Sequence, residues 1–200
     1  MFDAVTNWDL SVLQAIFDGK TAFFDTVFPL ITYCGEAVSM IVFALVLMAI
    51  PRTRRTGFVA GAALLIGVIV VNLVLKNAVA RPRPYEIPGW EHLLRGLIKT
   101  PWDYSFPSGH ALASFEVGAS IFSRHRKVGI AAVVFALLIS FSRLYLCVHY
   151  PSDVLAGIFL GIAFAALGAF LIGLVYKKWD VDRAFSKYDA KFPAFLQIKK

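Results

Sequence analysis

Apolar residues in this chain gather into long runs, broken by short clusters of charge and proline. A helix rises about 1.5 Å per residue, so roughly 20 apolar residues cross a hydrocarbon layer about 30 Å thick. Five spans are expected on that measure: Phe28 to Ile50, Gly57 to Lys76, Ser108 to Ser123, Val128 to Cys147 and Pro151 to Tyr176. The third is short, about 24 Å at helical rise. In the last, Gly157, Gly161, Ala165, Ala169 and Gly173 recur every fourth residue. Such a ridge of small side chains lets helices approach closely in lipid.

Ahead of the first span, Val5, Trp8, Val12, Leu13, Ile16 and Phe17 alternate in helical fashion with Asn7, Asp9, Gln14 and Asp18. That segment is too polar to span. It is expected either to lie in the membrane interface or to pack against the bundle. Between the second and third spans, residues 77–107 carry Pro82, Pro84, Pro88, Pro101 and Pro107 and read as a loop. The expected architecture is all-α, an integral membrane helical bundle of about five transmembrane helices with an N-terminal amphipathic helix. It divides into an amphipathic segment (1–27), a transmembrane domain (28–176) and a basic tail (177–200).

Composition agrees, with 58% hydrophobic residues, 16% charged residues and a mean hydropathy of +0.69. A formal net charge of +7 raises the question of nucleic acid, but no basic groove or aromatic-interleaved patch accompanies it. The cations instead mark turns: Arg52, Arg54 and Arg55; Arg124, Arg126 and Lys127; and a tail with Lys177, Lys178, Arg183, Lys187, Lys191, Lys199 and Lys200. With five spans these fall on one side, which the positive-inside rule makes cytoplasmic. The N-terminus and the 77–107 loop are then expected outside. Cys34 and Cys147 show neither a disulfide framework nor metal-knuckle spacing. The acidic start lacks the basic region of a cleavable signal, so the spans themselves are expected to direct insertion.

Three polar clusters interrupt the apolar pattern, all at the expected outer ends of spans. They run Lys76 to Pro84 (with Arg81 and Arg83), Ser105 to His110, and Ser142 to Asp153 (with Arg143 and His149). Singly, each has a plain reading. A lysine at a helix end snorkels, Ser108 is a helix N-cap, and Asp153 is a first-turn charge. Gathered at one end of a small bundle they point to function, because ionisable groups at membrane depth are costly. His110, His149 and Asp153 are also metal-ligand types, although three surrounding cations make a divalent ion electrostatically redundant. His92 and His125 lie apart from the clusters in sequence.

Lys76–Arg83-Pro84, Pro107-Ser108-Gly109-His110 and Ser142-Arg143–His149–Asp153 together resemble the three-part signature of the type 2 phosphatidic acid phosphatase (PAP2) family, in order and with its internal spacings. The resemblance implies a membrane lipid phosphatase that needs no cofactor and no metal. His149 would be the nucleophile, forming a phosphohistidine, Asp153 the carboxylate that orients it, and His110 the general acid. Lys76, Arg83 and Arg143 would clamp the phosphate, helped by Ser108 and the Gly109 amide, with Arg81 in support. The partner implied is a membrane lipid phosphate or pyrophosphate, with undecaprenyl pyrophosphate expected first and phosphatidylglycerol phosphate or phosphatidic acid as alternatives. A catalytically silent lipid-binding or transport protein is the rival outside enzymes. Many members have six spans, and the one lacking here would be the most N-terminal. Glu116, inside the third span, is expected to be protonated or hydrogen-bonded, with Asn72, Ser140 and Ser142 as candidate partners; contact with a lipid headgroup or a proton path is the alternative.

Overall fold

The computed structural model describes residues 2–193 and Leu196, with side chains from Val5 onward, so Lys199 and Lys200 of the basic tail lie outside the described residues. Among the described residues ten α-helices follow one another and no strand occurs: α1 (Phe2–Asp18), α2 (Ala22–Cys34), α3 (Ala37–Ala49), α4 (Arg54–Gly67), α5 (Lys76–Val79), α6 (Gly109–Arg124), α7 (Arg126–Tyr145), α8 (Pro151–Lys178), α9 (Val181–Ala184) and α10 (Ser186–Asp189). A π-helical stretch, Val68–Leu75, joins α4 to α5. Wide turns of this kind gather at functional sites, and this one ends at Lys76.

Three segments are long and apolar enough to cross a bilayer: Pro51–Glu86, Arg126–Tyr145 and Pro151–Lys178. The expected first span, Phe28 to Ile50, is not one straight helix. It is α2 and α3, bent by 53° across Gly35 and Glu36, and it makes a fourth crossing if the pair is taken as one span. At the bend, Gly35 packs closely against α6 and α7. A Cβ there would strike the Ile139 side chain and lie 3.2 Å from Cδ2 of His110. The third expected span, α6, has only 16 residues and buries every residue from Ala111 to Gly118. It is shielded from lipid by neighbouring helices, so it need not have the length of a lone span.

Met40, Ala44, Ala60, Leu64, Val117, Ile121 and Ile139 form the central core where α3, α4, α6 and α7 meet. Large apolar side chains such as Phe135, Leu138, Phe159, Leu167 and Phe170 face outward. In water such a surface would be a liability, whereas against lipid tails it is matched. The small-residue ridge of α8 works as a seam with a shifted register. Gly157 lies against the Ser108 carbonyl, Gly161 against the Leu112 carbonyl, and Gly168, rather than Ala169, against the Val59 carbonyl of α4. The shift from fourth to third residue keeps the stripe on one face of a helix with 3.6 residues per turn. Gly173 meets only the Arg55 guanidinium, at 4.0 Å.

Of the two readings for the N-terminal segment, packing on the bundle is the one observed. Leu10 and Leu13 of α1 join Leu93, Cys147 and Tyr150 in a buried cluster. At the opposite end the tail folds back. Asp189 of α10 accepts from both Nη atoms of the buried Arg54, at 2.9 and 2.5 Å, and Phe185 covers that guanidinium at 4.3 Å. One of the cations read as a topology signal therefore also anchors the tail.

The seam yields a direct test. In Gly161→Val the added Cβ would sit 2.6 Å from the Leu112 carbonyl, forcing α6 and α8 apart. The expected loss is about 1–3 kcal/mol, read as a melting temperature several degrees lower in detergent. Gly173→Val should leave it unchanged; equal behaviour of the two variants would contradict the seam.

Candidate active site

The three polar clusters converge on one cavity of 580 Å³. Lys76 reaches it from the start of α5, Arg83 from the loop beyond, and Gly109 and His110 from the first turn of α6. Arg143 comes from the last turn of α7 and His149 from the tight turn before α8. Two residues with unusual backbone aim this set. Ala80 (φ 47°) ends α5 and turns the chain into Arg81, and Cys147 (φ 53°) shapes the turn that presents His149. Left-handed geometry costs a non-glycine residue about 1 kcal/mol or more and recurs at functional sites.

His149 is 2% exposed, and its two ring nitrogens have different partners. Nδ1 lies 2.8 Å from the Ser105 carbonyl. A carbonyl only accepts, so Nδ1 carries the proton and Nε2 presents its lone pair. Arg83 Nη1 stands 3.4 Å from Nε2. Burial, then the charges of Arg83, Arg143 and Lys76, push the imidazole well below its ordinary pKa range. The ring is therefore neutral at neutral pH, as a nucleophilic nitrogen must be. Asp153 Oδ2 is 3.6 Å from Nδ1, farther than the Ser105 carbonyl. The Ser105 hydroxyl, 3.5 Å from Nδ1, donates to that carboxylate oxygen and bridges the gap. Asp153 also accepts the Tyr150 amide at 3.0 Å, so it caps α8 and faces the imidazole at once.

The three cations Lys76, Arg83 and Arg143 are buried together. Arg83 donates to the Val148 carbonyl at 2.6 Å and to the Asp103 carbonyl at 2.8 Å. Arg143 donates to the Thr32 hydroxyl at 2.7 Å, and its Nε is buried without a partner. Asp103, which sequence reasoning missed, supplies the local counter-charge. Its carboxylate pairs with Lys76 and, at 2.6 Å, with Arg83. Burial opposes ionisation, but hydrogen bonds and charge from Lys76 and Arg83 outweigh it and hold Asp103 at about 2. The carboxylate thus sits on two of the donors a phosphoryl group would use. Its only sequence signal was its position two residues before Ser105.

Ser108 and Gly109 differ in placement. A Cβ on Gly109 would meet nothing within 4 Å, so the N-terminus of α6 is open on that side, where free N–H groups favour an anion. The Ser108 hydroxyl is buried without a partner and lies outside the cavity wall, as do Arg81 and Asp153. His92 sits against Gln14, Phe17 and Trp90, and His125 caps the far end of α6; neither joins the site. Among the described residues no group of three or more His, Cys, Asp or Glu is arranged to hold a metal.

Beyond the cations the cavity continues as an apolar groove walled by Ile41, Leu45, Met48, Leu64, Leu65 and Val68. Glu116 lies in its wall against Gly67, with Oε1 buried and unpartnered. Of its expected partners, Ser142 turns back to the Ile139 carbonyl and the Ser140 hydroxyl is itself unpartnered. The whole can fix a tetrahedral anion at one end and hold a long hydrocarbon at the other.

Comparison with known proteins places the chain among membrane phosphatases by sequence and fold. The profile of the PAP2 superfamily matches residues 56–178. Undecaprenyl-diphosphatase BcrC of Bacillus subtilis is 32% identical over 139 residues, 69% of each chain. The undecaprenyl-diphosphatase of Sulfolobus acidocaldarius is 37% identical over 130 residues, covering 64% of this chain and 61% of that one. A transmembrane PAP2-type phosphatidylglycerolphosphate phosphatase from Bacillus subtilis superposes with a TM-score of 0.62 at 27% identity, over 88% of this chain and 87% of the other.

Asp103 gives this site a test with a definite sign. Asp103→Asn removes the competing carboxylate, so inhibition by inorganic phosphate or vanadate should tighten about three- to tenfold, roughly 1 kcal/mol of the partly screened charge interaction. Weaker inhibition would mean instead that Asp103 holds Lys76 and Arg83 in place.

Proposed function

The chain belongs to the PAP2 superfamily, and we propose that this membrane lipid phosphatase hydrolyses a polyprenyl diphosphate, undecaprenyl diphosphate foremost, to the monophosphate and inorganic phosphate. One observation carries the reading: a single cavity joins a cationic pocket at His149 to an apolar groove between α3 and α4. A diphosphate on a long hydrocarbon offers the matching pair of ends, and two relatives bear the name undecaprenyl-diphosphatase.

In the proposed reaction His149 Nε2 attacks the terminal phosphorus while the bridging oxygen departs with the lipid monophosphate. His110 donates the proton to that oxygen. Lys76, Arg83 and Arg143 offset charge on the three equatorial oxygens, with arginine forks suited to paired hydrogen bonds. His110, now a base, takes a proton from water, and the hydroxide cleaves the phosphohistidine to free His149 and release phosphate. Positioning and electrostatics supply most of what phosphoryl transfer needs, and the buried cations provide charge of the kind a metal would otherwise bring. In the proposed orientation the site faces the extracytoplasmic side of the cell membrane and the C-terminus lies in the cytoplasm, from the positive-inside pattern of the turns at 52–55 and 124–127. Phosphatidylglycerol phosphate is the second reading, favoured by the likeness to the solved phosphatidylglycerolphosphate phosphatase.

The test compares kcat/KM for undecaprenyl diphosphate, phosphatidylglycerol phosphate and phosphatidic acid at matched detergent-to-lipid ratios, with EDTA throughout. The diphosphate should lead by tenfold or more, and His149→Ala should lose at least about 10³-fold on every substrate. A lead for either glycerolipid would overturn the substrate. Loss of activity in EDTA, restored by magnesium or zinc, would overturn the metal-free chemistry.

A further inference from the structure

We propose that Asp9, on the N-terminal helix α1, is a positioning residue for the nucleophile: it shares the Arg81 guanidinium with Asp153 and so sets how strongly Asp153 acts on His149. This rests on the reading of His149 as nucleophile. Asp9 lies outside residues 56–178 matched by the superfamily profile, and no motif contains it.

The side chain is 0% exposed, and both of its oxygens are engaged. Oδ2 accepts from Arg81 Nη2 at 2.7 Å and from the Ser152 hydroxyl at 2.5 Å, and Oδ1 accepts from the Ser152 amide at 2.9 Å. Arg81 is thereby split. Its other arm, Nη1, donates to Asp153 Oδ1 at 2.6 Å and to the Ser152 hydroxyl at 2.8 Å, while its plane lies over Tyr150 at 3.8 Å. Asp153 keeps Oδ2 for Ser105, Tyr150 and the His149 side. A chain of contacts runs from α1 through Arg81, Asp153 and Ser105 to Nδ1 of His149.

Anchoring α1 does not require a carboxylate, because Leu10 and Leu13 already bury an apolar stripe against Leu93, Cys147 and Tyr150. A buried charge is costly unless a specific partner compensates it, and here the partner also serves the catalytic carboxylate. With Asp9 present, two carboxylates divide one cation, and Asp153 retains net negative charge to support the positive charge that develops on the imidazole as Nε2 attacks phosphorus. Without the charge of Asp9, Arg81 is undivided on Asp153. The other groups facing His149 stay as they are: the cations Lys76, Arg83 and Arg143, the carboxylate Asp103, Ser105, and His110 across the cavity.

Asp9→Asn keeps the shape and an acceptor oxygen but removes the charge. His149 then binds a proton less readily, so the acid limb of kcat/KM, set by protonation of Nε2, moves to lower pH. Comparison with the unchanged protein on one substrate cancels the substrate's own ionisation. The expected result at pH 7 is a ten- to hundredfold fall in kcat with KM within twofold, the acid limb displaced by half a unit or more, and partial recovery in Asp9→Glu. Leu13→Ala, which loosens α1 without touching charge, should lower the melting temperature and leave the limb in place. An Asp9→Asn profile that keeps its limb, or mirrors Leu13→Ala, overturns the proposal while His149→Ala remains inactive. If His149→Ala is active, the underlying reading fails instead. Should Asp9→Asn not accumulate, Arg81→Lys, which keeps the charge but loses the fork, must reduce kcat more than it raises KM; an unchanged kcat overturns the proposal equally.

Discussion

Three cations share one buried pocket, and most of the surrounding structure can be traced to that constraint. Lys76, Arg83 and Arg143 are almost wholly buried, at 6%, 2% and 2% exposure. Like charges brought together out of water repel strongly and forfeit hydration. Asp103 lies between two of them, Thr32 takes one arm of Arg143, and main-chain carbonyls of Val148 and Asp103 satisfy Arg83. The compensation is incomplete, since Arg143 Nε has no partner. A phosphoryl group is the kind of anion whose negative charge would complete that compensation. Burial and the same cations favour the neutral form of His149, the form the proposed nucleophile needs.

The bundle exists to hold that pocket at one end. Glycines of α8 bring its backbone against α6, which fixes the turn containing Ser108, Gly109 and His110 relative to Asp153. Ser108 N–H donates to the Asp153 carbonyl at 3.1 Å, tying the second and third clusters directly. A wide π-helical stretch delivers Lys76, and left-handed Ala80 and Cys147 turn the chain toward Arg81 and His149. The groove that leaves the pocket is apolar because its walls are ordinary membrane-helix residues. A lipid tail can lie there without new chemistry.

The parts legible in the sequence were those where polarity conflicted with location. Lys76, Arg83, His110, Arg143 and His149 stood out beside hydrocarbon-length runs, and all five line the cavity. Arg81, Ser108 and Asp153 were equally visible, but they stand behind the cavity wall rather than in it. The bend at Gly35–Glu36 was missed because the apolar run continues on both sides, although a glycine followed by a carboxylate was a local hint. Asp9 read as the polar face of an amphipathic helix, and Asp103 as loop. Asp9 meets Arg81 and Ser152, 72 and 143 positions away, and Asp103 meets Lys76 and Arg83, 27 and 20 positions away; such pairings are made only by the fold. Glu116 was noticed for its cost, yet of its expected partners Ser142 bonds elsewhere and Ser140 is itself unpartnered.

Formation of a covalent bond between phosphorus and His149 is the central claim, and rapid-quench trapping reads it directly. Detergent-purified protein is mixed with substrate labelled in the terminal phosphate, quenched in base within one turnover, digested and mapped by mass spectrometry. The account predicts a base-stable, acid-labile phosphoryl group on Nε2 of His149, appearing before free phosphate and absent in His149→Ala. Label on another side chain, or turnover with no phosphoenzyme at any quench time, would contradict it.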